Sequence, residues 1–388
     1  MTKTIKDLIF LILVTIILIL TIWLPHILRL SNFYGLSFGE GFAAIYRNFD
    51  GLEYVVIAKT FYSPVLIANL PQTLSANYYA SHFPAYSLAM IPVAIFVGYL
   101  KSMLLVSLFF TVLSAIAFYL LVKDFKLTSQ PFFLSVVFLI LPARWLIVHS
   151  VGSSEPMFIF FVLTSIYYFL KFENNSSSKF IWISAVAAAV AQFTRPPGIL
   201  LFLAYWLYIH WKCFLLPRQI NITSLKDHLK YYPLILIPLV LLGVFYWFGI
   251  SYGDFWAYFH SGDNIHLIFP PFQVFNKNQF WVGEIWLEDI IFTFILGLLG
   301  GLLLLKQKLY PLAFFVLTYL AATSLVAHRD ISRYALPIFP FVLIAFEKIL
   351  TTKEFKIVLI IVALAIYFYA QNFLIHNTAP IANLSAFN

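Results

Sequence analysis

The chain has 388 residues, 62% of them hydrophobic and 10% charged, with a net charge of +8 and one cysteine, Cys213. So apolar a composition excludes a water-soluble domain. A single cysteine excludes an internal disulfide and a cysteine-rich metal site, and basic residues scattered over short loops do not form a nucleic-acid-binding stripe. Apolar runs of roughly 17–22 residues recur along the chain, each able to cross a hydrocarbon core of about 30 Å as a helix. The runs are continuously apolar rather than alternating, which excludes a barrel. The expected fold is all-α: a polytopic membrane protein of about 11–12 transmembrane helices, read as a single domain over residues 1–388.

Lys3 and Lys6 precede the first run, Leu8–Leu28, which lacks a small-residue cleavage site and reads as a retained span with a cytoplasmic amino terminus. Residues 31–82 then form a long exoplasmic loop, too aromatic for disorder and expected to carry short helices along the membrane surface. Phe83–Leu100 and Ser102–Val122 are both apolar and are separated only by Lys101. If both cross, Lys123-Asp124-Phe125-Lys126 lies outside, against the positive-inside rule. If one dips in and returns, the loops Lys171–Lys179, Lys212–Lys230, Lys306–Lys308 and Glu347–Lys356 all lie inside. The segments around Glu155, Arg195 and His328–Arg333, and a second long loop at 251–289, then lie outside. Eleven spans plus one re-entrant segment is the expectation, with twelve crossings the alternative. No G-x-x-x-x-G-K-[ST] loop is present, which argues against a nucleotide-driven pump.

In a chain so poor in charge, polar residues at the membrane face mark function. Asp50 and Glu53 stand three residues apart in Asn48-Phe49-Asp50-Gly51-Leu52-Glu53-Tyr54, where the bland reading is an interfacial helix capped by Asp50 and the functional one a general base. His82 ends the same loop. Glu155 sits in Ser153-Ser154-Glu155-Pro156, which is also an ordinary helix entrance. Arg195 in Thr194-Arg195-Pro196-Pro197-Gly198 either snorkels or offers a fork to a phosphate. His328-Arg329-Asp330-Ile331-Ser332-Arg333 is a dense cluster whose two arginines are one helical turn apart, against the reading of an Asp330–Arg333 boundary pair. Trp256, Tyr258, Phe272, Phe280, Trp281 and Trp286 of the second loop suit an interfacial belt or sugar stacking. No H-E-x-x-H, Cys/His ligand set or G-x-S-x-G elbow occurs, and no metal is expected.

These pieces, in order, resemble the GT-C membrane glycosyltransferases, and within them the second GPI-anchor mannosyltransferase and its prokaryotic relatives. The family's Trp-Asp-x-x-x-Tyr-x-x-Ile-Ala stretch is similar to Phe49-Asp50-Gly51-Leu52-Glu53-Tyr54-Val55-Val56-Ile57-Ala58. Its Phe-Pro-x-Tyr-Pro turn resembles Phe83-Pro84-Ala85-Tyr86-Ser87, and its Glu-Ser helix entrance Ser154-Glu155-Pro156. Its Thr-Arg-Pro-x-Gly is similar to Thr194–Gly198 and its Arg-Tyr-x-x-Pro to Arg333-Tyr334-Ala335-Leu336-Pro337. Phe49, Ser87 and Pro156 depart from the pattern. The resemblance implies an inverting transferase that moves a mannose-like hexose from a polyprenyl-phosphate donor, with Asp50 as base and no nucleotide donor. The lipid-phosphate-linked sugar is then a co-substrate and no cofactor is needed. The acceptor is an exoplasmic glycan, glycolipid or protein, the other partners are membrane lipids, and nucleic acid is not among them.

The residues fit that expectation physically: a lipid donor presents its headgroup at the exoplasmic face, where Glu53, Tyr54, His82, Glu155, Arg195, His328, Arg329 and Arg333 surround the substrates. Two rivals stand beside it. A transporter or flippase of lipid-linked sugars calls for ionisable residues at mid-membrane and an internal repeat, neither of which is visible. An O-antigen polymerase or ligase would centre on loop 251–289. Short cytoplasmic loops and abundant Phe, Ile, Lys and Asn point to a prokaryotic plasma membrane rather than the endoplasmic reticulum.

Overall fold

A continuously apolar run in lipid finds no water for its peptide groups and must satisfy them within itself, so helix is what this composition permits. The computed structural model describes residues 3–71, 74–215, 222–262, 267–283, 287–381 and 383–388. Over these residues the protein is all-α, with no strand and three isolated bridges. Asp263, Glu284 and Trp286 lie outside the described residues.

The main helices in chain order are α1 (Lys3–Ile27), α2 (Gly51–Thr60), α3 (Ala85–Val97), α4 (Tyr99–Asp124), α5 (Pro131–Ile140), α6 (Ala143–Val148), α7 (Glu155–Asn175) and α8 (Ser178–Thr194). They continue with α9 (Ile199–His210), α10 (Leu236–Tyr252), α11 (Glu288–Lys306), α12 (Tyr310–Thr323), α13 (Ile331–Tyr334), α14 (Phe339–Ala345) and α15 (Lys353–His376). Among the described residues, seven stretches, built on α1, α4, α7, α9, α10, α11 and α15, are long and apolar enough to cross a membrane. Five apolar helices are shorter: α3, α5, α8, α12 and the pair α13–α14. The expected eleven or twelve crossings counted the shorter pieces as spans too, apart from the one re-entrant segment allowed within 83–122, where α3 lies. Proline explains two of the interruptions: Pro142 separates α5 from α6, and Pro337 lies in the turn between α13 and α14.

Helix α1 shows how the protein meets lipid. Leu11, Thr15, Ile19 and Ile22 are buried along one side, whereas Ile9, Leu13, Ile17, Leu20 and Leu24 stay exposed along the other. A continuous apolar stripe of that length is a surface for hydrocarbon, not for water. The protein is an integral, multi-pass membrane protein.

Helices α3 and α4 pack as a hairpin closed at Gly98, whose φ of +79° lies in the region that glycine adopts without penalty. Tyr86, in the first turn of α3, donates from Oη to the Met103 carbonyl at 2.6 Å and lies 2.8 Å from Ser107 Oγ. The far end of α4 meets the start of α1 instead, through Tyr119 Oη to Asp7 Oδ2 at 2.8 Å and Lys123 Nζ to Thr4 Oγ1 at 2.7 Å. Helix α3 therefore runs away from the amino-terminal face and returns through α4, as a half-span.

The lysine-rich ends gather on that amino-terminal face. Tyr167 donates to Asp124 at 2.6 Å, and Lys212 meets Glu173 at 2.6 Å. Gln130 donates to the Thr351 carbonyl at 3.0 Å and accepts from Lys356 at 2.7 Å. Two large buried apolar clusters fill the interior, and Phe49 packs against both, so the first loop sits on the seam between them. The seam is tight. A Cβ on Gly51 would come within 2.9 Å of the Gly152 carbonyl oxygen and 3.0 Å of Met103 Sδ, and one on Gly152 within 2.7 Å of the same sulfur.

This topology is checked by labelling. In a Cys213→Ser background, Lys101→Cys and Lys277→Cys should react with a membrane-impermeant maleimide from one side of sealed vesicles, and Lys126→Cys and Lys179→Cys from the other. Labelling of positions 101 and 126 from the same side would mean that α4 does not cross.

Candidate functional site

A cavity of about 870 Å³ opens at this seam, on the face away from the lysine-rich loops. Its polar end is built by four segments distant in sequence: the entrance to α2, the entrance to α7, the turn after α8, and α13. Asp50 is the residue before α2, as the helix-start pattern predicts, but its side chain makes no capping bond. Instead its Oδ2 lies 2.6 Å from Arg333 Nη2. Arg333 places Nε 2.6 Å from Glu155 Oε1, and Arg195 Nη1 lies 2.5 Å from the same oxygen. Two carboxylates and two guanidinium groups thus form one balanced quartet.

Exposure separates the two acids. The Glu155 side chain is 1% exposed and stands behind the cavity wall, whereas 29% of Asp50 remains accessible and faces the cavity. Burial alone would raise the Asp50 pKa, but Arg333, with His82 and Arg195 beyond it, outweighs that effect and holds the carboxyl well below the usual carboxylate range. Its position before the first turn of α2 adds the favourable end of the helix dipole. Asp50 is therefore ionised and accessible, while Glu155 is a buried counterion.

A stack of four groups aims the arginine. The Arg333 guanidinium lies 4.3 Å from the centre of the Phe49 ring, Phe49 stacks on Phe373 of α15 at 5.3 Å, and Arg144 of α6 lies over the Phe373 ring at 4.5 Å. Phe49 adopts φ +50°, a left-handed conformation that costs a non-glycine residue about 1–2 kcal/mol. The chain bears this strain where one residue must pass under Arg333 and the next must meet it.

The predicted site residues divide on inspection. Asp50, Tyr54, His82, Arg195, His328, Arg329 and Arg333 line the cavity together. Tyr54 Oη lies 2.7 Å from Ser154 Oγ, which fixes the entrance to α7. His82 has Nδ1 2.8 Å from Ser81 Oγ and Nε2 3.9 Å from Asp50 Oδ2. Burial pushes this imidazole below its ordinary value against the pull of Asp50, so at neutral pH it is an uncharged neighbour. His328 is likewise lowered by burial, and its Nδ1 accepts the Asp330 backbone N–H at 3.1 Å. Asp330 does not pair with Arg333: its Oδ1 lies 3.8 Å from Arg144 Nη2. Arg329 precedes α13 instead of sharing its turn with Arg333, and lies 5.9 Å from the Phe280 ring.

Glu53 goes elsewhere. It lines a separate cavity of about 140 Å³ with Leu52, Val56, Leu74, Tyr79 and residues of the carboxyl-terminal segment, and its Oε2 is buried with no hydrogen-bond partner among the described residues. Burial, with Asp50 nearby, pushes its pKa up to about 8. At three residues' spacing the two acids share a helix start but not a cavity.

Arg47, Arg144, Phe245, Tyr319 and Phe373 were not singled out from sequence. Arg47 pairs with Glu40 at the rim, Phe245 and Tyr319 line the cavity, and Arg144 and Phe373 act from behind. Beyond Arg195 the cavity turns apolar along Ile199, Leu200, Leu241, Phe245, Phe259, Leu267 and Val326, so one end is charged and the other hydrocarbon-like. Among the described residues no three His, Cys, Asp or Glu side chains come together as a metal-ligand set. The chain matches no protein-family model and no curated protein. What fold and site define together is a class: a polytopic helical membrane protein with an amphipathic, arginine-lined cavity.

Glu155→Gln should lower stability by about 3 kcal/mol, because it leaves two buried guanidinium groups without their shared counterion. Asp50→Asn, at the accessible end, should cost clearly less. Thermal unfolding in detergent compares the two, and equal losses would contradict the division drawn between them. Glu53 binds a proton more tightly in the folded protein than in the unfolded chain, so its contribution falls as pH rises from about 4.5 to about 8. Unfolding followed across that window should show Glu53→Gln losing less stability than the unsubstituted protein; parallel profiles would refute the assignment.

Proposed function

We propose that this protein is a membrane glycosyltransferase of the GT-C type. In this reading it moves a mannose-like hexose, with inversion, from a polyprenyl-phosphate donor to a hydroxyl of a glycan, glycolipid or protein. The observation that carries the reading is the two-ended cavity, whose polar end offers an accessible ionised carboxylate among arginines and whose other end is apolar. An amphipathic donor matches both ends: its phosphate belongs with the arginines and its chain along Ile199, Leu200, Leu241 and Phe245.

The chemistry follows from the charges. Asp50 accepts the proton of the acceptor hydroxyl as the hydroxyl oxygen attacks the anomeric carbon on the side opposite the phosphate. The carbon–oxygen bond to phosphate breaks, and its electron pair passes to the phosphate oxygen. Arg329 and the guanidinium groups of the quartet stand where that negative charge develops, in surroundings where fixed charges act strongly. His82, uncharged at 3.9 Å from Asp50 Oδ2, adds no positive charge of its own beside the carboxylate. Lysines gathered on the opposite face support an exoplasmic cavity and a cytoplasmic amino terminus under the positive-inside rule. A prokaryotic plasma membrane fits that arrangement.

Asp50→Asn keeps the shape and loses the charge. Transfer of labelled hexose from a polyprenyl-phosphate donor should fall by about 10²-fold or more in matched membranes. An unchanged rate in the well-inserted variant would remove Asp50 from the mechanism.

A further inference from the structure

The charges around the cavity are nearly spent before any ligand arrives. Asp50 and Glu155 balance Arg195 and Arg333, Asp330 faces Arg144, and Glu40 pairs with Arg47. Among the described residues lining the cavity, Arg329 is the arginine with an aromatic neighbour, Phe280, and no carboxylate partner. An anionic headgroup therefore finds one spare cation and must draw a second from a carboxylate.

Asp50 is the acid that can yield one. It holds Arg333 through Nη2 alone and is partly accessible, whereas Glu155 is buried and shared by two arginines. Arg333 can turn without losing its place: Nε stays 2.6 Å from Glu155, and the Phe49 ring lies beneath the guanidinium plane at 4.3 Å. We propose that Asp50 and the donor phosphate compete for Arg333, so that donor binding frees Asp50 for the acceptor hydroxyl and the donor binds first. The inference rests on the transferase reading of this cavity.

The exchange also balances through the reaction. The acceptor proton passes to Asp50, the new oxygen–carbon bond forms, and the old bond's electron pair goes to the phosphate. Asp50 thus loses its charge as the phosphate gains one. Arg333, already drawn to the phosphate by donor binding, then faces the partner that is gaining charge, and the transfer step leaves the net charge of the site unchanged. Coupling of this kind is reciprocal: the factor by which Asp50 weakens donor binding is the factor by which donor weakens the Asp50–Arg333 pair.

The test is a double-substitution cycle of affinity for polyprenyl phosphate, measured on the full chain in nanodiscs without turnover. Asp50→Asn should bind about tenfold more tightly than the unsubstituted protein, because Arg333 no longer has to be taken from a charged partner. Arg333→Gln should bind more weakly, and adding Asp50→Asn to it should give no gain. If Arg333→Gln is not recovered folded, Arg333→Lys replaces it; a point charge without the fork should shrink the gain from Asp50→Asn. Equal or weaker binding by Asp50→Asn overturns the competition, as does a gain that persists without Arg333. Absence of polyprenyl phosphate binding in every variant overturns the transferase reading as well, and so is told apart from failure of the competition alone.

Discussion

Arg333 answers to two carboxylates at once, and most of the site depends on that. A guanidinium 3% exposed inside a membrane protein is tolerable only if its charge is met at hydrogen-bonding distance. Glu155 and Asp50 meet it from different segments, and Arg195 shares the Glu155 carboxylate with it, so that two acids balance two arginines. Four pieces of chain far apart in sequence are thereby held to one point, each by a contact that would be expensive to break singly. The surrounding helices supply the apolar walls, and the quartet sets where those walls meet.

The same environment gives two neighbouring carboxylates opposite characters. Asp50 and Glu53 differ by one methylene and stand three residues apart, yet one is held ionised by an arginine and the other is pushed towards its neutral form in an apolar pocket. Sequence spacing alone suggests a pair working together. What decides is which cavity each side chain enters, and that follows from how α2 is rotated against α3 and α4. Paired acids with divergent proton affinities are a familiar means of assigning separate roles.

Much of the architecture was legible in the residues, and the gaps have physical causes. Long apolar runs force helices, so the all-α membrane fold followed directly. Asp50, Arg195 and Arg333 stood out because charge is scarce, and they do meet. A re-entrant segment within 83–122 was expected, but the number of full spans was harder to read, because hydropathy is blind to the breaks at Pro142 and Pro337 that shorten α5 and α13. The supporting stack was not readable at all: Phe373 is one phenylalanine among 43 in the chain, and nothing local marks it as the ring beneath Phe49. Arg144 was passed over for a related reason, since it sits between apolar runs and its partners, Phe373 and Asp330, lie far along the chain.

The contact of Gly51, Gly152 and Met103 bears on how the cavity admits anything. There is no space there for a single added carbon, so the wall bearing the carboxylate works as a fixed jaw, locked to α4 and to the turn before α7. The facing wall is looser: α10 and the aromatic segment after it contribute Leu241, Phe245 and Phe259 to the cavity and leave Tyr246, Ile250 and Trp256 exposed. Bilayer thickness and lipid packing bear on that outward-facing wall rather than on the packed one, so the surrounding membrane would tune how readily the cavity fills while leaving the geometry around Asp50 unchanged.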